Sequence, residues 1–167
     1  MEREKSYTAL LIFTIFCGSF LRVYNVDFED LYFDEILSFV YAGDNLTFFQ
    51  SYRSSSELDA TPYLFNFFLK FIFYIFSYET WVGKLFLAVL SVLSILSVTY
   101  LSFLIKKNKS YLMTAFLISF NIFLISHTSD LRVYTLFFLF SSLSLIFFIK
   151  LIDNENKKSN SVLFLIF

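Results

Sequence analysis

Residues 63–77 read Tyr-Leu-Phe-Asn-Phe-Phe-Leu-Lys-Phe-Ile-Phe-Tyr-Ile-Phe-Ser, and whether this segment crosses a membrane decides the topology of the chain. As a helix it would reach roughly 23 Å at about 1.5 Å per residue, short of the ~30 Å hydrocarbon core of a bilayer. Asn66, Lys70 and Tyr74 recur every four residues and form one polar stripe on an otherwise apolar helix. That pattern suits the membrane interface, so we predict an interfacial helix over about 62–77.

The composition around this segment places the chain in a membrane. Of its 167 residues, 57% are hydrophobic and 16% are charged, whereas ordinary globular chains carry about 25% charged residues. The formal net charge of −1 supplies no basic surface for nucleic acid, so we predict no nucleic-acid partner. The single cysteine, Cys17, excludes an intrachain disulfide and a cysteine metal cluster.

Long apolar runs on both sides of the segment are the predicted membrane spans. The first run has no small-x-small cleavage pattern after it, so we interpret it as an uncleaved span and not as a signal peptide. The last run reaches only Phe167, and the sequence therefore reads as the N-terminal part of a larger protein. The predicted complete spans are about 7–23, 82–105, 111–126 and 131–152, and a fifth span is expected to start from 161.

The distribution of lysine and arginine favours a topology in which residues 63–77 do not cross. Basic loops prefer the cytoplasm. Without a crossing at 63–77, the basic residues at the N-terminus and those at Lys106–Lys109, Lys157 and Lys158 all fall on the cytoplasmic side. The acidic loop 25–61 and Asp130 then both lie outside. We therefore predict a multi-pass protein of the cytoplasmic (inner or plasma) membrane with its N-terminus in the cytoplasm.

The acidic loop 25–61 contains one further predicted helix. Phe33, Leu37 and Tyr41 lie four residues apart, and Gly43 follows as a terminator, which predicts an interfacial helix over about 33–42. Residues 51–57, Ser-Tyr-Arg-Ser-Ser-Ser-Glu, are expected to form an irregular loop.

Two adjacent acids at the start of that helix are the first candidates for chemistry. The stretch 27–35 holds five carboxylates, including Asp34 and Glu35. Adjacent residues on a helix point roughly 100° apart, so these two cannot face each other as a dyad that shares a proton. One of them could face a cavity while the other anchors the helix. The alternative is that both are solvated acids placed favourably at a helix N-terminus.

A second polar site interrupts the apolar runs at Asp130 and Arg132, in the turn between two predicted spans. An ionisable residue at such a place is a functional candidate, although a water-exposed loop pair has the same appearance. We expect this turn and Asp34 to meet on one face of the membrane.

Three other polar residues have ordinary explanations beside a functional one. Arg22 ends the first span and could simply extend its charge to the interface. Lys84 could attract an anionic lipid or likewise reach the interface. His127 is the only imidazole in the chain, and we interpret it as a loop residue rather than a metal ligand.

The order of four motifs resembles the GT-C membrane glycosyltransferases, in particular the protein O-mannosyltransferases and the lipid A aminoarabinose transferase. The motifs are Phe-Leu-Arg-Val-Tyr at 20–24, Phe-Asp-Glu-Ile at 33–36, Thr-Pro-Tyr-Leu-Phe at 61–65 and Asp-Leu-Arg-Val-Tyr-Thr-Leu at 130–136. The resemblance covers nearly all of this chain but only about the N-terminal third of a family member. It implies an all-α, multi-span helical bundle. The chain departs from the family at Thr61-Pro62, where His-Pro-Pro or Lys-Pro is usual, and at Lys84, where an arginine is expected.

The activity implied by the resemblance is transfer of a hexose or pentose from a polyprenyl-phosphate donor, with inversion, to a glycan, lipid or protein acceptor outside the membrane. Asp34 would act as general base with Glu35 as its catalytic neighbour. The residues that would bind the substrates are Asp130, Arg132, Tyr134, Arg22 and Lys84. No cofactor is assigned with certainty, and a divalent metal stays an open alternative. Two other functions of the chain also stay open: a membrane transporter fragment and a non-catalytic membrane subunit.

Overall fold

A computed structural model of the chain describes residues 2–24, 26, 30–43, 45–58, 62–106 and 108–152. All regular structure in these ranges is helical, as predicted, and no strand is found in them. The helices are α1 (Glu2–Val23), α2 (Phe33–Tyr41), α3 (Phe48–Leu58), α4 (Tyr63–Ile75), α5 (Thr80–Ile105), α6 (Ser110–Ser119), α7 (Ile122–Ser126) and α8 (Tyr134–Ile152).

Three helices are long and apolar enough to cross a membrane: α1 from Lys5 to Val23, α5 and α8. They indicate a membrane protein, because an apolar helix of about 20 residues matches the thickness of the hydrocarbon core. The bounds predicted for these three runs are right to within a few residues. Helix α8 begins three residues late, at Tyr134, because the residues before it form the turn after α7.

The prediction of one continuous helix over 111–126 is wrong. Helix α6 ends at Ser119, and α7 begins at Ile122 with only five residues. Asn121 lies between them in an extended conformation, and its side-chain oxygen accepts a hydrogen bond from the backbone N–H of Leu124 at 3.0 Å. This cap starts a separate helix. The described chain therefore has three helices of spanning length, where four were expected.

Helices α1, α5, α6 and α8 form the bundle. Helix α6 runs alongside α1, since Lys109 lies 3.5 Å over the ring of Tyr7 and Ser119 lies beside Gly18. A methyl group at Gly18 would come within 2.6 Å of Ser119, so the missing side chain permits this close approach. Small or hydroxyl-bearing residues at helix contacts are typical of packing in membranes.

Helices α5 and α8 run in the same direction and touch along their length. The Ser97 and Ser142 hydroxyls are 2.5 Å apart, and Lys150 lies 5.1 Å over the Tyr100 ring. Lys150 and Lys109 thus mark one end of the bundle. We call the opposite end, where α1 finishes and α5 and α8 begin, the acidic end, since α2 with Asp34 and Glu35 packs there.

Helix α2 confirms the predicted segment 33–42 to within one residue, but α3 contradicts the loop predicted over 51–57. Thr47 and Gln50 start α3: the Thr47 N–H donates to the Gln50 side chain at 2.8 Å, and the Gln50 N–H donates to the Thr47 hydroxyl at 3.2 Å. This reciprocal pair is a capping box. Two serines of α3, Ser51 and Ser55, are buried, and the Ser51 hydroxyl donates to the Tyr41 carbonyl at 2.5 Å.

Helix α4 confirms the predicted helix at 62–77, with an earlier end at Ile75. The argument from its polar stripe is wrong. Asn66 and Lys70 are buried: Asn66 donates to the Ser55 hydroxyl at 2.9 Å, and Lys70 donates to the Gly43 carbonyl at 2.6 Å. Only Tyr74, 81% exposed, is available to lipid or water. The stripe therefore serves contacts within the protein.

The start of α4 is also fixed to α3. The Tyr63 hydroxyl donates to the Phe48 carbonyl at 2.9 Å. Burial raises the pKa of Tyr63, and a hydrogen bond with Ser51 partly opposes that shift, so the phenol keeps its proton at neutral pH.

An apolar core fills the space between α4, α5, α8 and the end of α2. Gly83 allows α4 to come close, since a methyl group there would lie 3.1 Å from Leu69 and 2.7 Å from Leu131. The buried members of this core are Ala42, Phe65, Leu69, Phe73, Val82, Leu87, Leu90, Leu131, Leu136 and Leu139. The core holds the short helices of the acidic end against the spanning helices.

Several predicted features lie outside the described residues. They are the cap at Thr61, the acids Asp27 and Glu29, the basic residue Lys107 and the lysines Lys157 and Lys158, and the fifth span from 161.

The topology of α4 remains a prediction that surface labelling can test. In a chain whose Cys17 is replaced by serine, we expect Glu79→Cys to react with a membrane-impermeant thiol reagent in intact cells. Lys107→Cys should react only after the membrane is opened, because it would lie on the cytoplasmic side. Protection of position 79 together with labelling of position 107 in intact cells would reject this topology.

Candidate functional site

Glu35 ties α2 to the turn between α7 and α8. Its side chain is only 4% exposed. One carboxylate oxygen accepts a hydrogen bond from the backbone N–H of Leu131 at 2.5 Å, and the other accepts one from the N–H of Tyr32 at 2.7 Å. The Tyr32 contact closes the first turn of α2. Glu35 is therefore an anchor, and its placement gives no support to the direct catalytic part predicted for it.

Asp34, the preceding residue, points elsewhere and meets Arg132. A carboxylate oxygen of Asp34 contacts the Arg132 Nη2 atom in an ion pair between residues 98 positions apart in the chain. The Asp34 side chain is 59% exposed, so it stays open to a reacting molecule. The expectation that the acidic loop and the distant turn meet is confirmed. Of the two adjacent acids, Glu35 anchors the helix as one alternative required, whereas Asp34 is exposed and is not among the residues that line the cavity described below.

Asp130 pairs with His127 and not with the side chain of Arg132. The Asp130 carboxylate contacts His127 Nδ1 within the same turn. Arg132 is therefore oriented by Asp34, and Asp130 orients the imidazole. A histidine three residues before an aspartate in a tight turn is the signal from which this pair could have been found.

Arg22 is buried inside the bundle, which contradicts an interfacial position. Its side chain is 3% exposed. Nε donates to the Ser91 hydroxyl at 2.7 Å, Nη1 donates to the carbonyls of Gly18 and Ser119 at 2.9 Å each, and Nη2 donates to the Ile118 carbonyl at 2.9 Å. Helix α6 ends at Ser119, so its free terminal carbonyls supply partial negative charge for the guanidinium.

A hydrogen-bonded path joins Arg22 to the turn. Ser91 accepts from the Thr128 hydroxyl at 3.0 Å, and Thr128 also bonds to the Leu124 carbonyl at 2.8 Å. Thr128 lies between His127 and the Asp130–Arg132 segment. The buried arginine and the ion pair at the surface are therefore parts of one connected structure at the acidic end.

A cavity of about 460 Å³ opens beside this structure, between the end of α1, the middle of α5, α6 with α7, and the first half of α8. Its walls are mostly apolar, and its charged or ionisable groups come from Arg22, His127 and Tyr134. Its lining residues are Arg22, Ser91, Ser94, Ile118, Phe123, Leu124, His127, Tyr134, Thr135, Phe137, Phe138 and Ser141. An apolar cavity with a few placed polar groups is the usual form of a small-molecule site.

The last two predicted residues differ in their exposure. Tyr134 lines the cavity and is 55% exposed, with its ring centroid 5.8 Å from that of His127. Lys84 on α5 is only 2% exposed. This burial contradicts the interpretation in which its charge reaches the interface.

The described side chains do not fit a metal centre. No three residues of the types His, Cys, Asp and Glu come together anywhere in the described part of the chain. Asp34 is paired with a guanidinium, and the imidazole of His127 is paired with Asp130. We therefore derive no catalytic step through a metal.

No protein-family model, no curated protein and no solved structure matches this chain. The GT-C resemblance consequently stands on its four sequence motifs alone.

Proposed function

We propose that the protein is a membrane glycosyltransferase that moves a sugar from a polyprenyl-phosphate donor to an acceptor hydroxyl at its acidic end, on the outer side of the cytoplasmic membrane. The observation that carries the proposal is the contact between Asp34 and Arg132. These residues come from two of the four motifs that resemble the GT-C enzymes. An accessible carboxylate beside a guanidinium offers both groups that the reaction requires.

In the reaction, the acceptor oxygen attacks the anomeric carbon of the sugar, and the bond from that carbon to the phosphate oxygen breaks. Asp34 takes the proton of the attacking hydroxyl, which increases the electron density on the oxygen as the new bond forms. The departing polyprenyl phosphate gains negative charge. Arg132 stabilises that charge, because a planar guanidinium can hold two phosphate oxygens at once.

The pairing of the two residues predicts an exchange when the donor binds. In the free protein each group neutralises the other. A donor phosphate that takes the guanidinium releases the Asp34 carboxylate for the acceptor. The base therefore becomes available only when the donor is in place, which protects the reactive centre from unproductive contacts.

Glu35 is a positioning residue in this scheme. Its bond to the Leu131 N–H places α2 beside the turn, so that Asp34 and Arg132 lie on adjoining elements. Both catalytic groups are thus attached to a common anchor, which limits changes in their separation.

Arg132→Lys tests the proposed phosphate contact. Lysine keeps the positive charge but loses the planar, two-pronged geometry, so we expect donor use to fall by about tenfold or more. The measurement is sugar transfer from a polyprenyl-phosphate donor in membranes of cells that express the gene, normalised to protein amount. The matched control is Arg53→Lys on α3, away from the acidic-end ion pair. Full activity of Arg132→Ala would remove this turn from the site.

A further inference from the structure

His127 is held in a fixed orientation at the wall of the cavity. It follows α7, and its ring packs edge-on against Phe123 with centroids 4.1 Å apart. Tyr134 at the start of α8 packs on another side. Nδ1 is engaged by Asp130. The ring is therefore restrained by two aromatic contacts and one carboxylate.

This restraint leaves Nε2 as the polar atom of the imidazole that can meet a ligand. A carboxylate that accepts from Nδ1 fixes the tautomer, so that Nε2 is an acceptor in the neutral ring and a donor in the protonated ring. The ionisable groups that surround it are Asp130 in its own turn, Tyr134 on α8 and Arg22 on α1, which lines the same cavity. Asp34 and Arg132 pair with each other at the same end.

We infer that His127, oriented by Asp130, donates a proton from Nε2 to the leaving phosphate of the lipid-linked donor. This inference rests on the proposed function and adds a second proton-transferring residue to it. As the bond between the anomeric carbon and the phosphate oxygen breaks, that oxygen takes the Nε2 proton. Asp34 has meanwhile taken the proton of the acceptor hydroxyl. Both residues return to their starting states by exchange with water, so protons and electrons balance.

The other cations of the site cannot fill this role. Arginine stays protonated over the whole physiological range and can stabilise the phosphate only as a fixed charge. Imidazole gains and loses a proton near neutral pH, where a phosphate monoester also titrates. His127 and Arg132 both lie in the segment between α7 and α8, so a phosphate held by Arg132 would have one permanent and one exchangeable proton donor.

The chain has one histidine, so labelling with ¹⁵N-histidine gives a single-residue probe. The experiment uses the 167-residue chain, purified in lipid nanodiscs with a tag that contains no histidine. We expect the neutral ring to carry its proton on Nδ1, and Asp130→Asn to weaken that preference. Added undecaprenyl phosphate should move the pH midpoint of ring protonation upward, because a nearby anion favours the charged ring. Undecaprenol, which lacks the phosphate, should leave it unchanged.

The inference is overturned if undecaprenyl phosphate leaves the pH midpoint of ring protonation unchanged, or if undecaprenol moves that midpoint equally. So does a neutral ring that carries its proton on Nε2. These readouts need no catalysis. An unresponsive imidazole in a protein that transfers sugar therefore rejects the role of His127 alone, whereas absence of transfer by the wild-type protein rejects the proposed function.

Kinetics give a second test. The wild-type rate should fall on the alkaline side as the ring loses its proton, and His127→Gln should remove that alkaline limb while lowering the rate at neutral pH by about 10²-fold or more. A variant that keeps both the limb and the rate contradicts the inference. If His127→Gln does not fold, Asp130→Asn supplies the same comparison with the imidazole retained.

Discussion

Replacing Asp34 by asparagine should lower sugar transfer by about 10²–10⁴-fold, the usual contribution of a general base. Asparagine keeps the shape and can still accept a hydrogen bond, but it cannot take the proton of the acceptor hydroxyl at neutral pH. The protein should still fold, because the Asp34 side chain is largely exposed. The assay is transfer from a polyprenyl-phosphate donor in membranes, with the amount of each variant measured.

The matched control is Asp30→Asn, an exposed carboxylate four residues earlier in the same loop. We expect transfer by this variant to stay near the wild-type rate, which separates loss of the base from loss of negative charge. Near-normal transfer by Asp34→Asn would end the base assignment, regardless of any family resemblance.

Glu35→Ala should cause the largest loss of stability among the residues at the acidic end. The change removes a buried carboxylate that accepts from two backbone N–H groups, and it leaves the Leu131 N–H buried without this acceptor. Hydrogen bonds to charged groups contribute about 1.5–3 kcal/mol each, so we expect the free energy of unfolding to fall by about 2–5 kcal/mol. Thermal unfolding can be followed by the fluorescence of Trp81, the only tryptophan in the chain.

Glu35→Gln is the matched comparison. Its amide oxygen can replace one of the two acceptors, so we expect it to lose less stability than the alanine variant. Transfer by Glu35→Gln should decline only as far as Asp34 is displaced. An alanine variant as stable as the wild type would show that Glu35 does not anchor α2.

The sequence predicts the long apolar helices well because their signal is local. Continuous apolar runs such as 82–105 leave few structures other than a buried or spanning helix. The meeting of Asp34 with Arg132 was also predictable, because the charge distribution placed both on one side of the membrane. Each of these inferences needed only composition and the order of segments along the chain.

The errors share a different cause, namely polar residues whose partners lie elsewhere in the fold. The serine-rich segment 51–57 looks like a loop because the partners of its buried hydroxyls, the Tyr41 carbonyl for Ser51 and the Asn66 amide for Ser55, lie on other helices. The stripe of Asn66 and Lys70 looks like a water-facing surface, yet it faces α3 and the Gly43 carbonyl. Arg22 has the same ambiguity, since only the tertiary structure shows that helix-end carbonyls receive its charge.

The break within 111–126 has a local cause, namely a single side chain. One side chain, Asn121, competes with the helix by capping the next segment. Hydropathy alone does not reveal such a helix break, because one polar residue hardly changes the hydropathy of an apolar run. The effect of the residue depends on backbone geometry instead.

The bond between Glu35 and the Leu131 N–H also sets an order of events during synthesis. The two residues are 96 positions apart, so a ribosome that adds about 5–20 residues per second makes the second one roughly 5–20 s after the first. During that interval the Glu35 carboxylate cannot enter its buried position, since the N–H group that receives it has not yet been made. Helix α2 can therefore dock on the turn only after α5, α6 and α7 have been synthesised. Assembly of the candidate site is therefore a late step in the synthesis of the described part of the chain.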